Sequence, residues 1–228
     1  KMIDIKNLTM VYNGKAALDN INLNIEDGQI VGLVGENGSG KTTLLRILAG
    51  LERNYMGSVK INEKRPGGRT NSMVSYQPDH LPLDKRTKID DVVALYEKFY
   101  EDFNSKKFYD LLKNFGISSD LKLNECSKGM REKIQVALTL SRKSKVYLLD
   151  EPISGVDPKS RKMVINTIIE NFDYDGILLI STHLIAEIEK VLDRAIFVKN
   201  GQIVVDETVD DIRLNHQMGV EDYFTEVM

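Results

Sequence analysis

The segment Gly35-Glu36-Asn37-Gly38-Ser39-Gly40-Lys41-Thr42 constrains what this chain can fold into more than any other stretch. It fits the spacing G-x-x-x-x-G-K-[ST], and its flanks fit the context that spacing requires. Ile30-Val31-Gly32-Leu33-Val34 enters it as a run apolar on both faces, the pattern of a buried parallel strand. Leu44, Leu45, Ile47 and Leu48 leave it as the apolar stripe of a helix, with Gly50 as its stop. Glycines let such a loop curl into a nest whose N–H groups converge on phosphate oxygens. The helix that starts near Lys41 adds the positive end of its dipole. Lys41 is then placed to reach the β- and γ-phosphates of a nucleotide, and Thr42 to offer a hydroxyl to Mg²⁺. Gly35, Asn37, Gly38, Ser39 and Gly40 are the candidate backbone contacts.

The rest of the chain supports a fold built around that loop. Ile3, Ile5 and Leu8, then Ile21, Leu23 and Ile25, alternate with polar residues as half-buried strands do. Asp27-Gly28 marks a turn before the buried run. Met73–Tyr76 reads as a short strand ending at Gln77-Pro78. From 78 to 125 the pattern becomes helical and aromatic, with Asn104-Ser105 separating two helices and Ser105 the expected cap. Strand and helix alternate again afterwards. The sequence predicts a helix opened by Ser127, strands over 146–149 and 177–180, and helices over 159–171 and 184–192. A hairpin turning at Asn200-Gly201 follows. This alternation implies an α/β fold with a mostly parallel sheet.

Val146-Tyr147-Leu148-Leu149-Asp150-Glu151 is the second carrier of chemistry. A hydrophobic strand ends in two carboxylates, which puts them at the carboxyl edge of the sheet, where open α/β folds bind ligands. Asp150 is the candidate Mg²⁺ ligand and Glu151 the candidate group that orients or deprotonates an attacking water.

With these residues in place, and with Tyr12, Gln77, Cys126–Met130, Ser154–Asp157 and His183 in order around them, the chain resembles the ABC ATPase family over essentially its whole length. The resemblance implies a P-loop NTPase (RecA-like) core, an N-terminal antiparallel β subdomain and an inserted helical subdomain. It implies that residues 1–228 form one ABC ATPase domain, with 78–125 the helical part and 1–77 plus 126–228 the remainder. It also extends the phosphate loop to Thr43. Tyr12 matches the adenine stacker, Gln77 the glutamine that contacts Mg²⁺, and His183 the histidine that contacts the γ-phosphate.

Ser127-Lys128-Gly129-Met130 aligns with the family's S-G-G-Q, which acts on the nucleotide of an opposite subunit. The resemblance therefore implies a sandwich of two ATPase subunits around two ATPs. Ser127 and Gly129 would contact phosphate there, and Asp157 would lie at the interface. Lys128 and Met130 depart from the pattern. Lys128 adds charge where the helix dipole disfavours it, with phosphate as an expected compensation. Cys126 stands in the usual leucine place and reads as a small buried hydrophobe. ATP and Mg²⁺ are the implied cofactors. A second ATPase subunit, in a homodimer or a heterodimer, and an integral membrane permease are the implied partners.

The S-K-G-M form, followed by Arg131-Glu132-Lys133, looks like short bacterial ABC exporter subunits for peptides or drugs. An importer ATPase, or an ABC ATPase acting on nucleic acid or ribosomes, is the alternative. The net charge of −3 offers no basic surface, so no nucleic acid is expected. No run approaches the length of a membrane helix, and the single cysteine allows no internal disulfide. The expected location is the cytoplasm, at the inner face of the cell membrane through the permease. Lys1 precedes Met2, which is expected to be the native start.

Overall fold

The computed structural model describes residues 2–228; the expectation about Lys1 lies outside them. The chain opens with β1 (Ile3–Tyr12) and β2 (Lys15–Ile25), antiparallel, with Ile3 opposite Ile25 and Ile5 opposite Leu23. β3 (Gln29–Val34) then runs into the phosphate loop and α1 (Lys41–Leu48). β4 (Met56–Ile61) returns to the other side of β1, completing a three-stranded sheet in the order β2-β1-β4. β5 (Val74–Gln77) precedes two helices, α2 (Ile89–Phe99) and α3 (Ser105–Asn114). After them come α4 (Lys128–Leu140), β6 (Val146–Asp150), α5 (Pro158–Asn171) and β7 (Ile177–Thr182). A four-residue helix α6 (Ile185–Ile188) and a 3₁₀ turn (Glu189–Val191) lead to the hairpin β8 (Arg194–Lys199) and β9 (Gln202–Thr208). Helices α7 (Val209–His216) and α8 (Val220–Val227) close the chain.

The large sheet has six strands in the order β5-β6-β7-β3-β8-β9. Its first five are mutually parallel, and β9 is antiparallel to β8. Both faces are covered, which is why its strands read as continuous apolar runs. Val31, Leu33, Leu148 and Leu179 face α1 and the small sheet. Val34, Tyr147, Leu149 and Ile180 face the other way, toward α2–α5. The carboxyl ends of β5, β6, β7 and β3 lie side by side at one edge. They deliver Gln77, Asp150, His183 and the phosphate loop to that edge.

Two elements escaped the sequence pattern. β4 presents only Val59 and Ile61 to the core, and Gly57 in it has φ of 92°. α7 buries only Val209 and Ile212. Two expectations are corrected. Asn104, not Ser105, caps α3: its Oδ1 accepts from the Lys107 N–H at 2.9 Å. The helix expected over 184–192 breaks after Ile188. Leu192 has to lie flat on Gly32 of β3, and the carboxylate of Asp193 has to accept from the Ile30 N–H at 2.7 Å. A continued α-helix would carry both away from the sheet.

Candidate functional site

The phosphate loop owes its curl to two left-handed glycines, Gly38 (φ 82°) and Gly40 (φ 115°). A Cβ at Gly40 would stand 2.5 Å from the carbonyl oxygen of Ala17, so no other residue fits that approach. Gly40 is the N-cap of α1 and supplies no capping side chain, which leaves the first N–H groups of the helix free of a side-chain cap and able to receive an anion. Lys41 is buried, and its ammonium donates to the carbonyls of Gly35 at 2.6 Å and Glu36 at 2.9 Å. Burial lowers its pKa, and the nearby carboxylates of Glu151 and Asp150 work against that shift. Ser39 is buried beneath the loop against Gly35, and its hydroxyl has no partner.

Asp150 is fully buried at the end of β6. Its Oδ1 accepts from the Ser181 hydroxyl, while Oδ2 has no partner. Burial raises its pKa; the hydrogen bond from Ser181, the neighbouring Thr42 hydroxyl and the charge of Lys41 oppose the rise. Glu151 follows in a left-handed conformation, φ 49°. Its N–H is held by Ser181, through both the backbone carbonyl and the hydroxyl at 3.1 Å. A non-glycine residue there carries strain that the ladder end must hold. The Glu151 Oε2 accepts from His183 Nδ1 at 2.9 Å, and Oε1 is buried without a partner. Gln77, one strand over, is 1% exposed and its Oε1 is also without a partner.

A cavity of about 230 Å³ is lined by Asn37, Gly38, Gly40, Lys41, Thr42, Thr43 and Glu151; Gln77, Asp150 and His183 are not part of its lining. Asp79 lines it as well and adds to the pressure on Asp150. Tyr12 ends β1 outside this lining, 41% exposed, so its ring is accessible from solvent. Burial, then the carboxylate of Glu52, raises its pKa.

Ser127, Gly129 and Asp157 lie apart from the cavity. Ser127 caps α4, with its Oγ accepting from the Met130 N–H at 3.1 Å. Asp157 caps α5 by accepting from the Ser160 N–H at 3.1 Å; the Ser160 side chain first, and that N–H after it, lower its pKa. The Lys128 ammonium, expected to meet phosphate, lies 3.7 Å from a carboxylate oxygen of Glu132 and 3.4 Å from the Ser154 hydroxyl. Cys126 is buried, and its thiol pKa is raised by burial, as suits a hydrophobe rather than a nucleophile. Three contributors went unread in the sequence: Asp79, Ser181 and Glu132. Only Asp79 had a local signal, a carboxylate two residues beyond Gln77.

A model of the ABC transporter family matches residues 18–154. The ABC transporter ATP-binding protein MJ1023 of Methanocaldococcus jannaschii is 32% identical, over 92% of this chain and 79% of its own length. The lantibiotic transport ATP-binding protein SrtF of Streptococcus pyogenes is 29% identical, over 92% of each. The zinc import ATP-binding protein ZnuC of a Wolbachia from Brugia malayi is also 29% identical, over 92% of this chain and 88% of its own. Among solved structures, an ATP-binding subunit of an ABC transporter superimposes with a TM-score of 0.88 at 24% identity, covering 100% of this chain and 99% of that one. A dimeric ATP-binding cassette, MJ0796 bound to ADP and Pi, gives 0.81 at 24% identity, covering 91% and 98%. These likenesses share the fold described above, a P-loop cassette with a mostly parallel sheet and an antiparallel N-terminal sheet. The chain belongs to the ABC transporter family, as one of its ATP-binding, ATP-hydrolysing domains.

Proposed function

We propose that this chain binds and hydrolyses ATP to drive a separate membrane permease, and that the complex exports a peptide or drug. The observation that carries the catalytic part is a set of unpartnered buried oxygens at adjacent strand ends: Asp150 Oδ2, Gln77 Oε1 and Glu151 Oε1. Buried polar atoms without partners are costly, and a folded protein keeps them where a ligand completes them.

Lys41 and the N–H groups of the loop hold the phosphates of ATP, with Tyr12 against the adenine. Thr42, Asp150 and Gln77 fit a hard cation, since all three offer oxygen. Mg²⁺ held by these three would supply positive charge against the phosphates. Glu151 orients the attacking water and takes its proton. His183 is steered by that same carboxylate, which accepts from Nδ1; to donate from Nε2 to a γ-phosphate as well, the ring must carry both protons. Residues 78–125 act as the helical subdomain that faces the permease. The chain works in the cytoplasm, at the inner face of the membrane.

Ser127, Gly129 and Asp157 serve the ATP of a second subunit, which is why they stand apart from the cavity. The dimeric state of the MJ0796 cassette supports this arrangement. Export is supported by the S-K-G-M segment, and a peptide cargo by the likeness to the lantibiotic transport protein SrtF; the likeness to ZnuC favours the importer reading. Transport assays on the reconstituted complex, in both membrane orientations, separate the two.

The direct test is the size of the Glu151→Gln protein by light scattering, with and without Mg-ATP. A shift from monomer to dimer that needs ATP, and that Lys41→Ala abolishes, is expected. A monomer at every ATP concentration would overturn a sandwich of two copies of this chain.

A further inference from the structure

Glu132 lies one turn into α4, beyond the S-K-G-M segment and away from the cavity, and its carboxylate is almost fully buried. A carboxylate so placed needs a reason, because its desolvation is costly unless strong donors replace water. Here the donors come from another element. The Gly155 N–H donates to both oxygens, at 2.9 and 2.8 Å, and the Ser154 hydroxyl donates to Oε1 at 3.1 Å. The Lys128 ammonium sits 3.7 Å away, on the exposed side, and donates to Ser154 as well. The contact is close enough that a side chain at 155 would displace its partners. A Cβ there would stand 2.6 Å from Glu132 Oε1 and 2.6 Å from Lys128 Cδ. A Cβ at Gly129 would likewise meet the Gly155 carbonyl oxygen at 2.9 Å.

The loop held in this way begins at Glu151. The Ser154 N–H donates back to the Glu151 carbonyl at 3.3 Å, and the loop ends at Asp157, the cap of α5. One side of the bond is therefore rooted in this chain's own catalytic carboxylate. The other is rooted in the first turn of α4, which carries Ser127 and Gly129.

We infer that Glu132 is a positioning residue that locks the start of α4 to the Glu151–Asp157 loop, with Lys128 as its counter-charge, so that the groups offered to a second subunit's ATP move together with this subunit's own hydrolytic carboxylate. The inference rests on the two-subunit reading above. It also accounts for Lys128. The residue that departs from the family's glycine neutralises an acid on which two hydrogen-bonded elements depend.

The test compares Glu132→Ala, Glu132→Gln and the unaltered protein in ATP affinity, in ATP turnover and, in a Glu151→Gln background, in ATP-driven dimerisation. Glu132 touches nothing in the cavity, so ATP affinity of the monomer should stay within about twofold, while kcat for Glu132→Ala falls roughly tenfold or more, the factor that goes with losing a charge-assisted hydrogen bond. Glu132→Gln keeps one carbonyl acceptor for Gly155 and should recover part of that rate, which a mere packing defect would not predict. Glu151→Gln/Glu132→Ala should need more ATP to dimerise than Glu151→Gln. If Glu132→Ala does not fold, Gly155→Ala breaks the same contact from the loop side and should show the same loss of kcat at unchanged affinity. Normal turnover and dimerisation in the Glu132 and Gly155 variants, with Glu151→Gln still dimerising, would overturn the lock and leave the sandwich standing. Failure of Glu151→Gln itself to dimerise would overturn both.

Discussion

Asp150 shows how one side chain can serve the site at the expense of the fold. It is buried, one oxygen is tied to Ser181, and the other has no partner. Its pKa in the folded chain is raised above the ordinary 3.8, chiefly by burial. The sign follows directly. The folded state binds this proton more tightly than the unfolded state, so the group's contribution is fully favourable below 3.8 and is lost as pH rises through the raised value. At neutral pH the ionised form costs stability. Asp150→Asn should therefore stabilise the nucleotide-free protein by on the order of 1 kcal/mol while abolishing Mg-dependent turnover. Thermal melts should show the gain at neutral pH and its disappearance as pH falls through the raised pKa. A variant less stable than the parent at neutral pH would refute this account. The residues that carry such effects were only partly legible. Lys41, Thr42, Asp150 and Glu151 could be read because each sits beside its strand in the chain. Ser181 and Glu132 could not, because their partners lie 31 and 23 positions away and become neighbours only when β6, β7 and α4 assemble.

At the scale of elements, the two helix starts proposed to meet phosphate are capped in opposite ways. α1 begins at a residue with no side chain and leaves its N–H groups exposed to a ligand. α4 begins at Ser127, which uses its oxygen on the Met130 N–H. Gly40→Ala should place a Cβ against the Ala17 carbonyl at a φ of 115° and cost roughly 2–3 kcal/mol, with nucleotide affinity lost even where the protein still folds. Ser127→Ala should cost about 1 kcal/mol in the monomer, the usual loss for an N-cap. Denaturant unfolding measures both, and near-equal midpoints for Gly40→Ala and the parent would contradict the close approach. The sequence announced these two helices because cap, glycine and apolar stripe coincide. It was silent on β4 and α7, where two buried side chains each are too few to set a period. It joined α6 to the turn after it because nothing local says that Leu192 must reach Gly32.

On the scale of the whole molecule, the helical segment and the catalytic sheet share one apolar core. Phe108 of α3, Val92 of α2, Val136 of α4 and Leu149 of β6 belong to a single continuous cluster. The boundary at 78–125, where the sequence pattern changes, is therefore a boundary of topology and not of packing. Phe108 is fully buried at the centre of the helical part. Phe108→Ala should cost about 3–5 kcal/mol. Sheet and helices should still unfold in one transition, seen as coincident far-UV and near-UV curves. Two separated transitions would show that the helical part has a core of its own. No helix among the described residues is long and apolar enough to cross a membrane.

The lysine of the phosphate loop donates to the carbonyls of Gly35 and Glu36, at the loop's own entrance. The curl is thus tied by an internal strap. Nucleotide meets a surface that is already shaped, and little chain entropy is left to lose on capture. Association should then be fast, with no slow folding phase, and the heat-capacity change of binding to the monomer should be small. In the proposed two-subunit cycle, the slow events belong to the closing of one subunit on another.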